Sequence, residues 1–126
     1  MEYAKFIDEV GKLDFIGDEG RADALVKAVI GILASSMDEG TARKFTEGLP
    51  EPLTFDRLRS HQARPVEMTI EEFFSEIGAQ FRITPDQAKT AVDVVFRLVK
   101  EAVGAHAVSE AEYSMPPDVA EELEAA

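Results

Sequence analysis

Residues 19–37 read EGRADALVKAVIGILASSM, and residues 85–103 read PDQAKTAVDVVFRLVKEAV. In the first stretch Ala22, Leu25, Val26, Val29, Ile30, Ile32, Leu33 and Met37 recur at helical spacing. They cover more than one stripe, the pattern of a helix buried on several sides. In the second, Ala88, Ala91, Val92, Val95, Val99 and Val103 mark the core face of a helix of similar length. No window elsewhere sustains period-two alternation, so the chain reads as all-α, a bundle built around two long central helices.

Shorter elements flank each long one. Tyr3, Phe6, Ile7, Val10 and Leu13 predict a helix over about Tyr3–Leu13. Asp18 is placed to cap the first long helix. Asp38 caps a short helix stopped by Gly48, and Leu49-Pro50 opens another helical piece through Arg59. Residues 59–68 are polar, aperiodic and contain Pro65, which predicts a linker. Thr69 and Glu72 form a capping box before Ile70, Phe73, Phe74, Ile77 and Phe81. Thr84, Pro85 and Gln87 form another at the second long helix. Ser109 with Glu112 predicts a helix start, and a weak, fraying helix follows over about Pro117–Leu123.

The two halves repeat. At an offset of 67, Phe6 falls on Phe73, Val10 on Ile77 and Gly11 on Gly78. After one residue is lost, an offset of 66 places Ala22 on Ala88, Val26 on Val92, Val29 on Val95, Ile30 on Phe96 and Leu33 on Val99. Met37 falls on Val103, and Leu49-Pro50 on Met115-Pro116. The reading is one domain over 1–126, with repeat 1 at about 3–58, the linker at about 59–68 and repeat 2 at about 69–123. Neither half could cover its own long helix, so the two should pack on each other with pseudo-twofold symmetry.

The N-terminal Tyr3-x-x-Phe6-Ile7, the long helix ending near Met37, the Gly48-Leu49-Pro50 punctuation and its second copy at Met115-Pro116 resemble the prokaryotic domain of unknown function 2267. The resemblance spans nearly the whole chain. It implies a small all-α protein of two related halves and carries no functional residue with it.

Composition removes several functions. Against 13 Lys and Arg stand 25 Asp and Glu, a net charge of −12. That charge repels phosphate backbones and anionic headgroups. The densest basic spots, Arg43-Lys44 and Arg57-Leu58-Arg59, hold two charges each, so neither nucleic acid nor a membrane is an expected partner. With no cysteine, thiolate catalysis, disulfides and Cys-based metal sites are excluded. No signal peptide is read at Met1–Lys5 and no apolar run reaches a membrane span, which predicts a cytoplasmic protein.

Catalytic, cofactor-binding and metal-ligating residues are not identified. His61 in the linker and His106 in a loop lack helical metal-site spacing. The acidic pairs Asp18-Glu19, Asp38-Glu39 and Glu71-Glu72 sit where carboxylates meet helix N-termini, and Asp8-Glu9 and Glu121-Glu122 lack a calcium-loop pattern. Asp93–Arg97 and Arg97–Glu101 read as i,i+4 pairs on a solvated face of the second long helix. Two surfaces remain. Ala24, Ala28, Gly31 and Ser35 form a small-residue stripe, read as a close helix–helix approach inside the fold or, alternatively, a homodimer seam. After Lys100 the acids Glu101, Glu110, Glu112, Asp118, Glu121, Glu122 and Glu124 follow with no Lys or Arg between them, a surface for a basic partner. The expected function is a non-enzymatic module that binds another protein or itself. The alternatives are a carrier with an apolar pocket between the halves, lined by the eight phenylalanines, and an enzyme using paired carboxylates.

Overall fold

In the computed structural model the ten residues from Phe6 to Phe15 already show how the chain is organised: Phe6 and Val10 are fully buried, and the charged positions between them face out. The structure describes residues 1–59 and 68–126, so the body of the expected linker, with His61 and Pro65, lies outside the described residues. Among the described residues there are eight helices and no strand. They are α1 (Tyr3–Gly11), α2 (Glu19–Ser35), α3 (Glu39–Thr46), α4 (Phe55–Arg59), α5 (Ile70–Phe81), α6 (Pro85–Val103), α7 (Ala105–Glu112) and α8 (Pro117–Ala125).

α2 is the hub. Every residue from Val29 to Ser35 is buried, because α1, α3, α4, α5 and α6 all pack against it. α6 is amphipathic and touches α1, α2, α5, α7 and α8. Phe73 on α5 meets Phe96 on α6 edge-on, with ring centroids 5.7 Å apart, the geometry favoured by the aromatic quadrupole. The buried apolar residues of all eight helices form one continuous cluster.

The helix starts follow local chemistry. Asp18 accepts from the Arg21 N–H at 2.8 Å and Asp38 from the Thr41 N–H at 2.9 Å. Both capping boxes close: Thr69 and Glu72 exchange bonds of 3.1 and 2.9 Å, as do Thr84 and Gln87. Each satisfies orphan amides that the first helical turn leaves open.

Several ends differ from expectation. α1 stops at Gly11 rather than Leu13, and α2 stops at Ser35 rather than Met37. Ser35 and Ser36 bond back to the carbonyls of Gly31 and Leu33 at 2.7 and 2.6 Å, and the chain then turns to present Asp38 as the next cap. Met37 stays buried outside the helix. The piece after Leu49-Pro50 is a turn, and α4 begins only at Phe55.

α7 begins at Ala105, so Ser109 and Glu112 lie within it rather than starting it. Gly104 is the reason. Its φ of +87° lets the chain leave α6, while its carbonyl accepts from the Val108 N–H at 3.2 Å and opens a new helix at once. α8 reaches Ala125 and is anchored rather than frayed, with Val119 and Leu123 fully buried.

The close approach expected at Gly31 occurs elsewhere. A Cβ at Gly31 would meet no described atom within 4 Å, whereas one at Gly48 would lie 2.9 Å from Val103 Cα. The end of α3 thus rests directly on the last turn of α6.

Candidate functional site

The turn joining α7 to α8 exposes what the rest of the molecule hides. Met115 is buried and pins the turn, while Tyr113, two residues before it, is 93% exposed. Met1, at 42%, is the other exposed large apolar residue among the described ones. An isolated exposed aromatic at a chain turn is informative because most aromatics of this chain are buried.

Tyr113 stands at the rim of a groove of about 710 Å³ between this turn and the start of α5. Met68, Pro116 and Pro117 give it apolar surface, and Thr69, Glu72 and Asp118 give it polar edges. The walls are fixed. Asp118 accepts from the Ile70 N–H at 2.7 Å and the Val119 N–H at 3.0 Å, so one carboxylate ties the first turn of α8 to the first turn of α5. Glu72 is held by the capping box. The groove therefore has a rigid acidic edge beside a free phenol ring.

The seven acids expected to form a partner surface are distributed over three helices and most already have work within the fold. Glu101 pairs with Lys5 at 3.1 Å. Glu110 meets Lys44 at 3.3 Å and His106 at 3.1 Å. Glu122 meets Lys89 at 2.6 Å, and Asp118 holds the Ile70 amide. Glu112 and Glu124 face one another; burial and the neighbouring Glu124 carboxyl push Glu112 above the ordinary carboxylate range. Glu121 is exposed. Asp118 alone of the seven lines the Tyr113 groove.

The polar stripe of α6 also departs from expectation. Asp93 pairs with Lys89 at 3.0 Å rather than with Arg97, and Arg97 reaches Glu9 on α1 at 3.6 Å. Asp93 finds its partner one turn earlier on α6, Arg97 finds its own on α1, and Lys89 also reaches Glu122, so the stripe stitches α6 to α1 and α8.

The small-residue stripe is not continuous at the surface. Ala24 is exposed, Ala28 half-buried, and Gly31 and Ser35 are buried. Ala24, Ala28 and Gly31 line a shallow groove of about 420 Å³ between α2 and α5, edged by Asp23, Lys27, Glu76 and Gln80.

A third depression, about 630 Å³, lies between α3 and α7, with Lys44, His106 and Glu110 at its edge and Phe45 in its floor. His106 is on α7 rather than in a loop, and 89% of its side chain is exposed. Phe6, Phe73 and Phe96 are fully buried, and Phe45, Phe74 and Phe81 nearly so. They fill the core instead of lining a shared pocket. Among the described residues, no group of three or more His, Asp or Glu could hold a metal ion, and no helix is long and apolar enough to cross a membrane.

Sequence reasoning overlooked Tyr113. The signal was available: it follows the last core position of its helix, Ala111, by two residues and precedes Met115-Pro116-Pro117, so no helical face could bury it.

No curated protein and no solved structure matches the chain. The family of uncharacterised conserved proteins DUF2267 matches it over residues 3–122, and with nearly the whole sequence covered the chain belongs to that family.

Proposed function

We propose that this protein is a non-enzymatic interaction module that docks a basic, apolar-bearing segment of another protein in the groove beside Tyr113. The observation that carries the reading is the 93% exposure of that ring next to Pro116, Pro117 and Met68. Aromatic anchors of this kind dominate binding energy at protein interfaces. Charge complementarity selects the partner's chemistry: Glu72 and Asp118 edge the groove, and the chain carries −12 overall. The absence of cysteine fits a cytoplasmic setting.

Two finer readings belong with this proposal. The chain is one domain made by duplication of a half-sized unit. Support comes from the reciprocity of its packing: α1 rests on α6 as α5 rests on α2, α2 meets α6, and α3 meets α7. Self-association through Ala24, Ala28 and Gly31 is the second binding reading, favoured by the exposed Ala24 and half-buried Ala28 on the groove between α2 and α5. The carrier reading has less support, because six of the eight phenylalanines are buried in the core.

A peptide array tests the docking site. Peptides combining Lys or Arg with aromatic or aliphatic residues should be retained by the wild type, and retention should fall about tenfold in Tyr113→Ala, the loss of one interfacial anchor. It should also fall between about 50 and about 500 mM salt. Equal retention of acidic and basic peptides, or no effect of Tyr113→Ala, would overturn the proposal.

A further inference from the structure

α8 is held to the bundle by an arrangement that carries one positive charge between two carboxyls. Lys89 Nζ on α6 donates to Asp93 Oδ2 at 3.0 Å and to Glu122 Oε2 at 2.6 Å. Glu122 belongs to α8, and its side chain is 18% exposed. Asp93 Oδ1 is shut off from solvent and has no hydrogen-bond partner among the described residues. An unpaired buried carboxylate oxygen is costly. A proton on one of the two carboxyls would let them bond to each other and remove that cost.

We propose that α8 is a proton-sensitive latch, gripping α6 through Lys89, Asp93 and Glu122 when the two carboxyls share a proton and loosening when the proton leaves. Lys89 stabilises the singly charged pair. The doubly charged pair places two carboxylates against one ammonium. Burial, with the Glu122 carboxyl second, pushes Asp93 up to about 6, while the bond to Asp93 holds Glu122 below its ordinary value. The first proton therefore leaves easily and the second stays until mildly acidic pH.

The surroundings reinforce this. Among the described residues, Lys89 and Glu122 are the charged groups facing Asp93. From α5 the Phe74 ring lies 5.7 Å from Lys89 Nζ. From α1 Glu9 engages Arg97, one turn along α6. A second carboxyl pair, Glu112 of α7 with Glu124 of α8, titrates in the same direction under the weaker attraction of Lys100. Lys100 also donates to the backbone oxygens of Glu124 and Ala126.

The sign is the reverse of ordinary acid lability. A carboxyl whose folded pKa lies above its unfolded value, about 3.9, contributes stability fully present below that value and lost as pH rises toward 6. The grip on α8 should weaken from mildly acidic to neutral conditions. The latch stands independently of the docking proposal, although α8 supplies one wall of the Tyr113 groove.

Amide hydrogen exchange on the full chain, corrected for intrinsic rates, reads the latch. Between about pH 5 and about pH 7.5, protection of α8 amides should fall about tenfold relative to those of α2. Asp93→Asn, an isostere of the protonated form, should leave α8 protection nearly flat with pH. Glu122→Gln should do the same and serves if the first variant fails to fold. Unchanged protection of wild-type α8, equal loss in α2 and α8, or a full pH response in both variants would overturn the proposal.

Discussion

Aligned at the offset of 66, Asp23 of α2 falls on Lys89 of α6, and Lys27 on Asp93. Each pair is an i,i+4 ion pair of 3.0 Å, with its polarity reversed. Their third members differ in kind. In α2, the Tyr3 hydroxyl of α1 donates to Asp23 at 2.5 Å. In α6, the third member is Glu122, another acid. Asp23, although burial alone would raise it, is pulled below its ordinary value by Tyr3 and Lys27. Tyr3 is pushed up by burial and by that carboxylate. Asp93 moves the other way. Two long helices with matching core positions thus carry opposite titration behaviour at one register of their surfaces. The apolar face of each long helix is constrained by packing, whereas its polar face depends on which helix lies alongside.

The strongest test of the shared core is a pair of truncations at matched positions. Ile30 and Phe96 are both fully buried, and Phe96 also contacts the Phe73 ring. Phe96→Ala should cost about 3–5 kcal/mol and Ile30→Ala about 2–5 kcal/mol, measured by denaturant unfolding. Comparable losses support a single core shared by both helices. A loss under 1 kcal/mol at either position would show that the two are not equivalent supports.

Two glycines sharpen the contrast between a tight contact and a position with room for a methyl. Gly48→Ala forces a Cβ to within 2.9 Å of the Val103 backbone, so the end of α3 must shift and stability should fall by about 1–3 kcal/mol. Gly31→Ala adds a methyl where no described atom lies within 4 Å, and in a helix interior it should stabilise by about 0.5–1 kcal/mol. Thermal unfolding distinguishes the signs, and sedimentation of the Gly31→Ala protein also tests the second binding reading. Self-association that survives the added methyl unchanged would remove Gly31 from any seam.

What could be read in advance follows the range of the interactions. Thr69 with Glu72, Thr84 with Gln87, Asp18 and Asp38 each cap through contacts within three residues, so their roles were visible in the sequence. The burial of α2 on several sides was visible too, because its apolar set covers more than one stripe. The same local rule failed at Ser109 and Glu112, where Gly104 had already begun the helix and the capping pattern fell inside it. The Lys89–Asp93–Glu122 arrangement depends on α8 folding back along α6, which no spacing encodes. Arg97 shows the limit most plainly. Its neighbours at four residues either side suggested two ion pairs, yet the chain supplies Glu9 from α1 instead.

The smallest expected effect isolates the polar difference between the two long helices. Tyr3→Phe leaves the ring in place and removes one donor from Asp23, which keeps Lys27. At neutral pH the loss should be about 1 kcal/mol, the worth of one hydrogen bond to a charged acceptor at a partly exposed site. Asp23 is depressed in the folded protein, so its contribution is present above the ordinary Asp range and lost as pH falls through its folded value. The gap between wild type and Tyr3→Phe should therefore narrow in acid, and the Asp23 carboxyl should titrate at higher pH in the variant by NMR. Asp93→Asn predicts the opposite sign: as pH rises it should become more stable than wild type, whereas Tyr3→Phe becomes less stable. If both variants instead became less stable than wild type, or both more stable, as pH rises, the reversed ion pairs would not set the different behaviour of α2 and α6. The cause would then lie in the net charge of −12, which acts on both helices alike.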